Sequence, residues 1–451
     1  MGFFKAYDRR GRFGVDFTLD TVRSVGMALP KVIGGRRWLV GRDCRTTSEA
    51  IRDALIGGLM SAGASVTDIG LCTTPMVYFF TANGGYDGSV MITASHNPPG
   101  DNGLKVSKKG GLPVGYDSGL DKVEAMCKGS AAADCGGGAP GIQEPPDPGL
   151  LSRYCGWLLE HGGDHGGLRF AVDCSDGAAG VLAKRLFPDA VIINGTPDGS
   201  FPHHSPNPLK ADAREQLAAT VRGMGLDCGV IFDGDADRAM FVDENGAFIQ
   251  PDYLIPVLAE TFDENGATVI HDVRTSRAAI ERLKAGGFRP VMGKVGHAFA
   301  KVLLRETGAV CGGELAGHYY FRDFVHCDSG ELAALRILSA FAAAKRQGLS
   351  VSGLMAPLLG KYANSGEVNF QVEDKAAAIG RMLAVAKRLA PETGRSEIDG
   401  FRIEYAEGWI SVRQSNTEPL LRLIVECDTG ARMEEWLSAL SAAANPPGNM
   451  V

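Results

Sequence analysis

RRWLVGRDCRTTSEAIRDALIGGLMSAGASVTDIGL, residues 36–71, decides the fold. RRWLVGRD (36–43) reads as a strand. TTSEAIRDALIGGLMSAGA (46–64) follows as a helix, with Thr or Ser at its N-cap and Glu49 in its first turn. SVTDIGL (65–71) and GSVMITAS (88–95) read as strands again. Strand, helix and strand in that order make a βαβ unit and a largely parallel sheet.

The rhythm restarts twice. LRFAVDCSDGAAG (168–180) reads as a strand entering a helix, followed by strands in AVIING (190–195) and LDCGVIFDGDADR (226–238). PDYLIPVLAETF (251–262) reads as a helix, ATVIHDV (267–273) as a strand, SRAAIERLKAG (276–286) as a helix and RPVMGKVG (289–296) as a strand. The recurrence is one of pattern, without a strong repeat of letters. From about residue 362 the pattern changes. GEVNFQVED, FRIEYAEGWISVRQSN and PLLRLIVEC alternate with period two, and helices are expected at 374–390 and 430–444. That predicts a small antiparallel sheet with helices on one face. The fold class is therefore α/β: three similar α/β domains with mixed, largely parallel sheets, plus a C-terminal α+β domain. The expected limits are 1–145, 146–250, 251–361 and 362–451. The Gly-, Ala- and Pro-rich segment 128–149 reads as a boundary or exposed loop.

Composition fits this reading. A chain of 451 residues is too long for one ordinary core. Its 45% hydrophobic and 22% charged residues are those of a globular protein. A net charge of −7 argues against a broad nucleic-acid surface but leaves room for a local basic pocket. The ten cysteines form no C-x-x-C pair and read as reduced thiols, so a cytoplasmic location is expected. No apolar run is long enough to span a membrane. A monomer or weak dimer is expected.

Four polar loops carry the chemistry. TASHNPPGDNGLKV (93–106) sets Ser95 beside His96 at the end of a strand, in a turn forced by Pro98, Pro99, Gly100 and Gly103, with Lys105 beyond. A nucleophile there suits an α/β enzyme, although an ordinary surface turn has the same composition. DGDADR (233–238) places Asp233, Asp235 and Asp237 at alternate positions; three close carboxylates repel one another unless a cation joins them. Oxygen ligands without thiols suit Mg²⁺, although a solvated acidic turn has the same letters. The loop is not an EF-hand, because its sixth position is Arg238 where glycine is needed. GGELAGHYYF (312–321) offers Glu314 and His318 between glycines, either a means of holding vicinal hydroxyls or a glycine loop around a buried histidine. KVGH (294–297) adds Lys294 and His297, and DVRTSR (272–277) adds Arg274 and Arg277. RQSNTEP (413–419) gathers Arg413, Ser415, Asn416 and Thr417, either as a phosphate cradle or as a turn between antiparallel strands.

The order and letters of these loops resemble the α-D-phosphohexomutase superfamily over nearly the whole chain, and within it the bacterial phosphomannomutase/phosphoglucomutase group. KAYDRRG (5–11) and GRDCRTTS (41–48) match as well. The resemblance implies four domains around a central cleft and a phosphoryl group carried on Ser95. Ser95, Asp233, Asp235 and Asp237 would bind Mg²⁺. Arg10, His96, Lys105 and Arg238 would surround the transferring group, with Lys105 or a neighbour as general acid/base. Arg274, His297, Glu314 and His318 would address the sugar. Arg413, Ser415, Asn416 and Thr417 would hold the non-reacting phosphate, and Tyr7 would lie near the cleft. A hexose 1,6-bisphosphate would serve as intermediate and activator.

Three departures stand out. Ala316 replaces the serine of GE-x-SGH, Asp176 stands where the family often has Asn, and Arg9 replaces an apolar residue. Leu315 argues against a phosphoglucosamine mutase, which remains the alternative within the family. From other classes, a metal-dependent sugar phosphatase and a non-catalytic sugar-phosphate-binding protein also fit these residues.

Overall fold

A computed structural model describes residues 9–128, 141–415 and 420–445. Three of its four sheets share one plan. A first strand lies between a second and a third, both parallel to it, and the chain returns through a fourth strand antiparallel to the third. In the first sheet these strands are Arg37–Arg42, Ser65–Leu71, Gly88–Ile92 and Asp101–Lys108. In the second they are Phe170–Asp173, Val191–Ile193, Cys228–Phe232 and Ala239–Asp243. In the third they are Thr268–Asp272, Arg289–Gly293, Cys311–Gly313 and Tyr319–Phe321. The threefold rhythm of the sequence is thus a threefold topology. The sheets are mixed, because each includes an antiparallel return strand; two of these, Asp101–Lys108 and Tyr319–Phe321, fall within segments that the sequence presents as polar loops.

The fourth sheet is antiparallel throughout. Alternation along its strands does what period two requires. Ile410, Val412, Leu421, Leu423 and Val425 pack against Met382, Trp436 and Leu440 of the helices Lys375–Leu389 and Gly430–Ala444. The intervening residues face the third domain. There Arg402 donates to the carbonyls of Val273 and Thr275 at 2.7 and 2.9 Å, and Glu426 accepts from Trp409 Nε1 and from the backbone of Arg277.

Local departures have local causes. The expected helix 251–262 is a 3-10 turn, Pro251–Tyr253, followed by a helix at Leu254–Ala259. Its end tightens into i→i−3 bonds from Thr261 and Phe262. Segment 168–180 leads into a 3-10 turn, Ala178–Val181, and one helical turn, Ala183–Leu186. Within 128–149, Gln143–Glu144 joins the first sheet as a parallel edge strand against Val66–Thr67. In the first domain, helices Leu19–Ile33 and Ser48–Ser61 touch through glycines: a Cβ on Gly58 would lie 2.2 Å from the Arg23 carbonyl oxygen. The described cysteines are all free thiols. No helix among the described residues is long and apolar enough to cross a membrane.

One buried acid marks the core. Glu331 opens the helix Gly330–Arg346 at 1% exposure, where burial raises its carboxyl to about 7. Between the ordinary glutamate value and that one, the folded chain holds a proton that the unfolded chain has released. Stability therefore falls as pH rises through this window, by at most about 3 kcal/mol, and levels off above it. In Glu331→Gln this contribution is expected to vanish. Thermal midpoints compared at about pH 5 and about pH 8 should show a smaller decline than in the parent chain; equal declines would refute the assignment.

Candidate active site

Each motif occupies the turn between two antiparallel strands. Ser95 lies between Gly88–Ile92 and Asp101–Lys108, the acidic triad between Cys228–Phe232 and Ala239–Asp243, and Glu314 and His318 at the turn from Cys311–Gly313 to Tyr319–Phe321. Arg413 closes the strand Gly408–Gln414, opposite Leu421–Cys427. In the three α/β domains these turns follow the carboxyl ends of parallel strands, the usual place for a site in such sheets. Tyr7, Asn416 and Thr417 lie outside the described residues.

The first two loops meet across the domain boundary. Ser95 is fully buried and has a φ of +52°, a conformation that costs a non-glycine residue energy. Its backbone N–H donates to Thr93 Oγ1 at 2.8 Å, and its Oγ donates to Asp233 Oδ2 at 2.6 Å over 138 residues of sequence. Gly234 permits this approach, since a Cβ there would lie 2.6 Å from the Ser95 carbonyl oxygen. His96 Nδ1 is 3.5 Å from Ser95 Oγ. Burial, with Arg238 and Arg10 nearby, pushes the His96 pKa well below its ordinary value, so the ring is neutral. Arg10 reaches the loop from its own strand, donating to Ala94 O at 3.3 Å and Asn97 Oδ1 at 3.4 Å.

Asp233, Asp235 and Asp237 are fully buried, and one oxygen of each lies within 4.8 Å of the others. Lys105 Nζ bridges two of them, 2.6 Å from Asp235 Oδ2 and 2.5 Å from Asp237 Oδ2. Asp235 Oδ2 also accepts from Thr74 Oγ1 at 2.5 Å, at the start of the helix Thr74–Asn83. Burial and Asp237 push the Asp235 carboxyl up; Lys105 and Thr74 outweigh them and hold it low. Asp233 lacks that help. Burial and then its two acidic neighbours raise its pKa far above the ordinary range.

The third loop completes the cluster. Arg238 Nε donates to His318 Nε2 at 3.0 Å, so that nitrogen presents its lone pair and Nδ1 carries the ring hydrogen. Nδ1 faces Asp328 Oδ2 at 2.8 Å, and Asp328 is paired with the buried Lys301 at 2.7 Å. His297 lies against His318 with ring centroids 5.8 Å apart. Glu314 Oε1 accepts from Tyr320 Oη at 2.8 Å and from the Gly296 N–H at 3.2 Å, and Oε2 lies 3.7 Å from Arg274. Ala316 is partly exposed at the turn. Arg274, Arg413 and Arg422 share the carboxylate of Glu367 at 3.6, 3.3 and 2.7 Å, which brings the third and fourth loops to one place. The Ser415 N–H donates to Leu420 O at 2.9 Å.

The structure thus brings together Arg10, Ser95, His96, Lys105, the triad, Arg238 and His318, and beside them Arg274, His297, Glu314 and Arg413. Sequence reading missed Thr74, Lys301, Asp328 and Glu367, each a lone polar letter whose partner is distant in the chain. It also missed Asp43 and Arg45, for which a signal existed: DCRT (43–46) and DVRT (272–275) share D-x-R-T at the end of a first strand. Asp176 has found a partner in His203, whose Nδ1 lies 2.8 Å from its carboxylate.

Four phosphoglucomutase/phosphomannomutase domain models match the chain in order: α/β/α domain I over 1–132, domain II over 161–246, domain III over 250–362 and the C-terminal domain over 367–443. The chain belongs to the phosphoglucomutase/phosphomannomutase family. It is 37% identical over 436 residues to a phosphomannomutase of Salmonella typhimurium, covering 94% of each chain. It is 36% identical over 440 residues to a protein of Xanthomonas campestris named phosphohexose mutases, covering 96% of each. A crystal structure of a phosphoglucomutase/phosphomannomutase family protein from Burkholderia thailandensis superimposes with a TM-score of 0.85 at 30% identity, over 99% of this chain and 98% of the other. Members of the family are intramolecular phosphotransferases of carbohydrate metabolism, and this chain is an enzyme of that class.

Proposed function

We propose that this phosphohexomutase reversibly interconverts the 1- and 6-phosphates of mannose, glucose or both. Ser95 is the phosphoryl carrier, a hexose 1,6-bisphosphate the intermediate, Mg²⁺ the cation and the cytoplasm the location. The observation that carries the reading is the 2.6 Å contact between Ser95 Oγ and Asp233, which sets a nucleophile against an acidic triad from another domain.

The triad fits a hard cation. Among the described residues Asp235 Oδ1 and Asp237 Oδ1 are buried without a hydrogen-bond partner, and burial with its two acidic neighbours disfavours a charge on Asp233. Asp233, Asp235 and Asp237, with an oxygen from Ser95, would hold Mg²⁺, which when bound neutralises phosphoryl oxygens. Arg238 and Arg10 add positive charge around the transferring group. A sugar hydroxyl attacks the phosphorus of phosphoserine, the bond from phosphorus to Ser95 Oγ breaks, and Oγ leaves with the electron pair. Lys105, a donor beside the triad, is the proton handler for this exchange. Glu314, His318, His297 and Arg274 face the sugar, where Ala316 contributes no hydroxyl. Arg413 and Ser415, with Asn416 and Thr417, hold the phosphate that is not reacting. The intermediate then reorients, and its other phosphate returns to Ser95.

The test is a mass balance. With Mg²⁺, a trace of glucose 1,6-bisphosphate and mannose or glucose 1-phosphate, phosphorus NMR should show the 6-phosphate replacing the 1-phosphate with little inorganic phosphate. Phosphate released in step with substrate loss would make the protein a phosphatase. No reaction at all would make it a binding protein.

A further inference from the structure

The loop that carries Ser95 is held by a side chain outside the cleft. Arg45 is 1% exposed. Its guanidinium donates to four backbone carbonyls of that one loop: Nη2 to Ser95 O at 2.8 Å and Asn97 O at 2.6 Å, Nη1 to Pro98 O at 2.6 Å and Asp101 O at 2.9 Å. Nε faces Asp43 Oδ2 at 3.2 Å, and Asp43 Oδ1 in turn accepts from the Arg45 N–H and from Ser48 Oγ at 3.0 and 2.7 Å. The arginine also reaches the second domain, where its Cζ stands 5.1 Å from the ring centroid of Phe201. Beside it, Cys44 Sγ donates to the Asp176 carbonyl at 3.3 Å.

The other two α/β domains vary the same device. Asp272 Oδ1 accepts from the Arg274 N–H at 2.6 Å, but that guanidinium turns to Asp272, Glu314 and Glu367. Asp173 Oδ1 accepts from the Ser175 N–H at 2.8 Å, and Ser175 Oγ donates at 2.6 Å to Phe232 O, directly before Asp233. In each case the residue two places beyond the aspartate at the end of the first strand reaches the motif loop of its own sheet or the strand residue just before it.

We propose that Arg45 is a positioning residue for Ser95, fixing the loop so that the serine hydroxyl faces Asp233 across the domain boundary. The proposal rests on Ser95 being the phosphoryl carrier. A strained backbone persists only where its surroundings over-determine it, and four bonds from one planar fork do that. Lysine keeps the charge and the ion pair but cannot serve carbonyls in four directions from one fixed plane.

The experiment compares Arg45→Lys with the parent chain by kcat, KM for the sugar phosphate, Mg²⁺ activation, thermal midpoint and single-turnover phosphorylation of Ser95 by glucose 1,6-bisphosphate, read by intact mass. The expected result is a kcat lower by on the order of 100-fold, the scale of a misplaced reacting group, with KM within about twofold. The Mg²⁺ concentration for half activation should rise, and Ser95 phosphorylation should slow by the same factor as kcat. A scaffold role would lower the folded fraction and leave the Mg²⁺ response of the survivors unchanged; that outcome, or wild-type kinetics, overturns the proposal. If Arg45→Lys does not fold, Asp43→Asn carries the same measurements with the arginine in place, and failure of both to fold also overturns it. If the parent chain never takes phosphate onto Ser95, the proposed function fails instead, whatever Arg45 does.

Discussion

Ser95→Ala is expected to abolish interconversion of hexose phosphates, lowering turnover by roughly four orders of magnitude or more, the scale seen when a covalent nucleophile is removed. The argument is one of position. Ser95 Oγ is the hydroxyl on its loop that faces the acidic triad, and Asp233 accepts its hydrogen at 2.6 Å. Neither His96 nor Thr93 can replace it: the ring nitrogen stands 3.5 Å from Oγ, and the Thr93 hydroxyl is committed to the Ser95 N–H. Stability should change little, because one hydrogen bond contributes only about 1 kcal/mol. Affinity for the sugar phosphate should survive, since Glu314, Arg274 and Arg413 are untouched. Measured together, a lost kcat, a retained dissociation constant and no incorporation of phosphate by mass would support the carrier role. Full turnover in this variant would refute it.

The second large effect depends on the metal. Asp233→Asn removes the carboxylate that burial, Asp235 and Asp237 most oppose. Without Mg²⁺ the variant should be about as stable as the parent chain, since the amide oxygen keeps the bond from Ser95 Oγ and the repulsion is relieved, while the 3.2 Å bond that Asp233 Oδ1 accepts from the Arg238 N–H is given up. With Mg²⁺ the parent chain should be the more stable. A ligand at 100 times its dissociation constant stabilises the folded state by about 2.7 kcal/mol, and only the parent chain should gain this in full. Activity should fall by about 1,000-fold, the upper scale for losing one electrostatic contact at a reacting centre. Thermal scans of both proteins with chelator and with Mg²⁺ decide the matter. An equal Mg²⁺ shift in the two would remove Asp233 from the cation site.

The sequence was most legible where physics is local. The two strands and the helix of residues 36–71 follow from periodicity, and the strands before each motif follow from short apolar runs. The return strand of the first sheet was not legible because three of its buried residues are polar. Asp101–Lys108 contains Asn102, Lys105 and Ser107, all buried, and hydropathy reads such letters as loop. The triad and Ser95 could be found one by one from their spacing, but their meeting across 138 residues could not. Arg45 shows the limit best. A lone arginine reads as a solvated charge, and its four acceptors are carbonyls, which leave no trace in the letters.

Placing each motif where a strand turns back on its neighbour has a mechanical consequence. Both limbs of the Ser95, Asp233 and Glu314 turns are tied into ladders, so none can swing like a free lid. The proposed intermediate, which would turn over between two opposed walls, would need slack, and that slack would have to come from the joints between whole sheets. The clasp of Arg402 on the Val273 and Thr275 carbonyls and the carboxylate that Glu367 shares among three guanidiniums lie at one such joint. Rigid fingers on movable palms can regrip a substrate without losing their own shape.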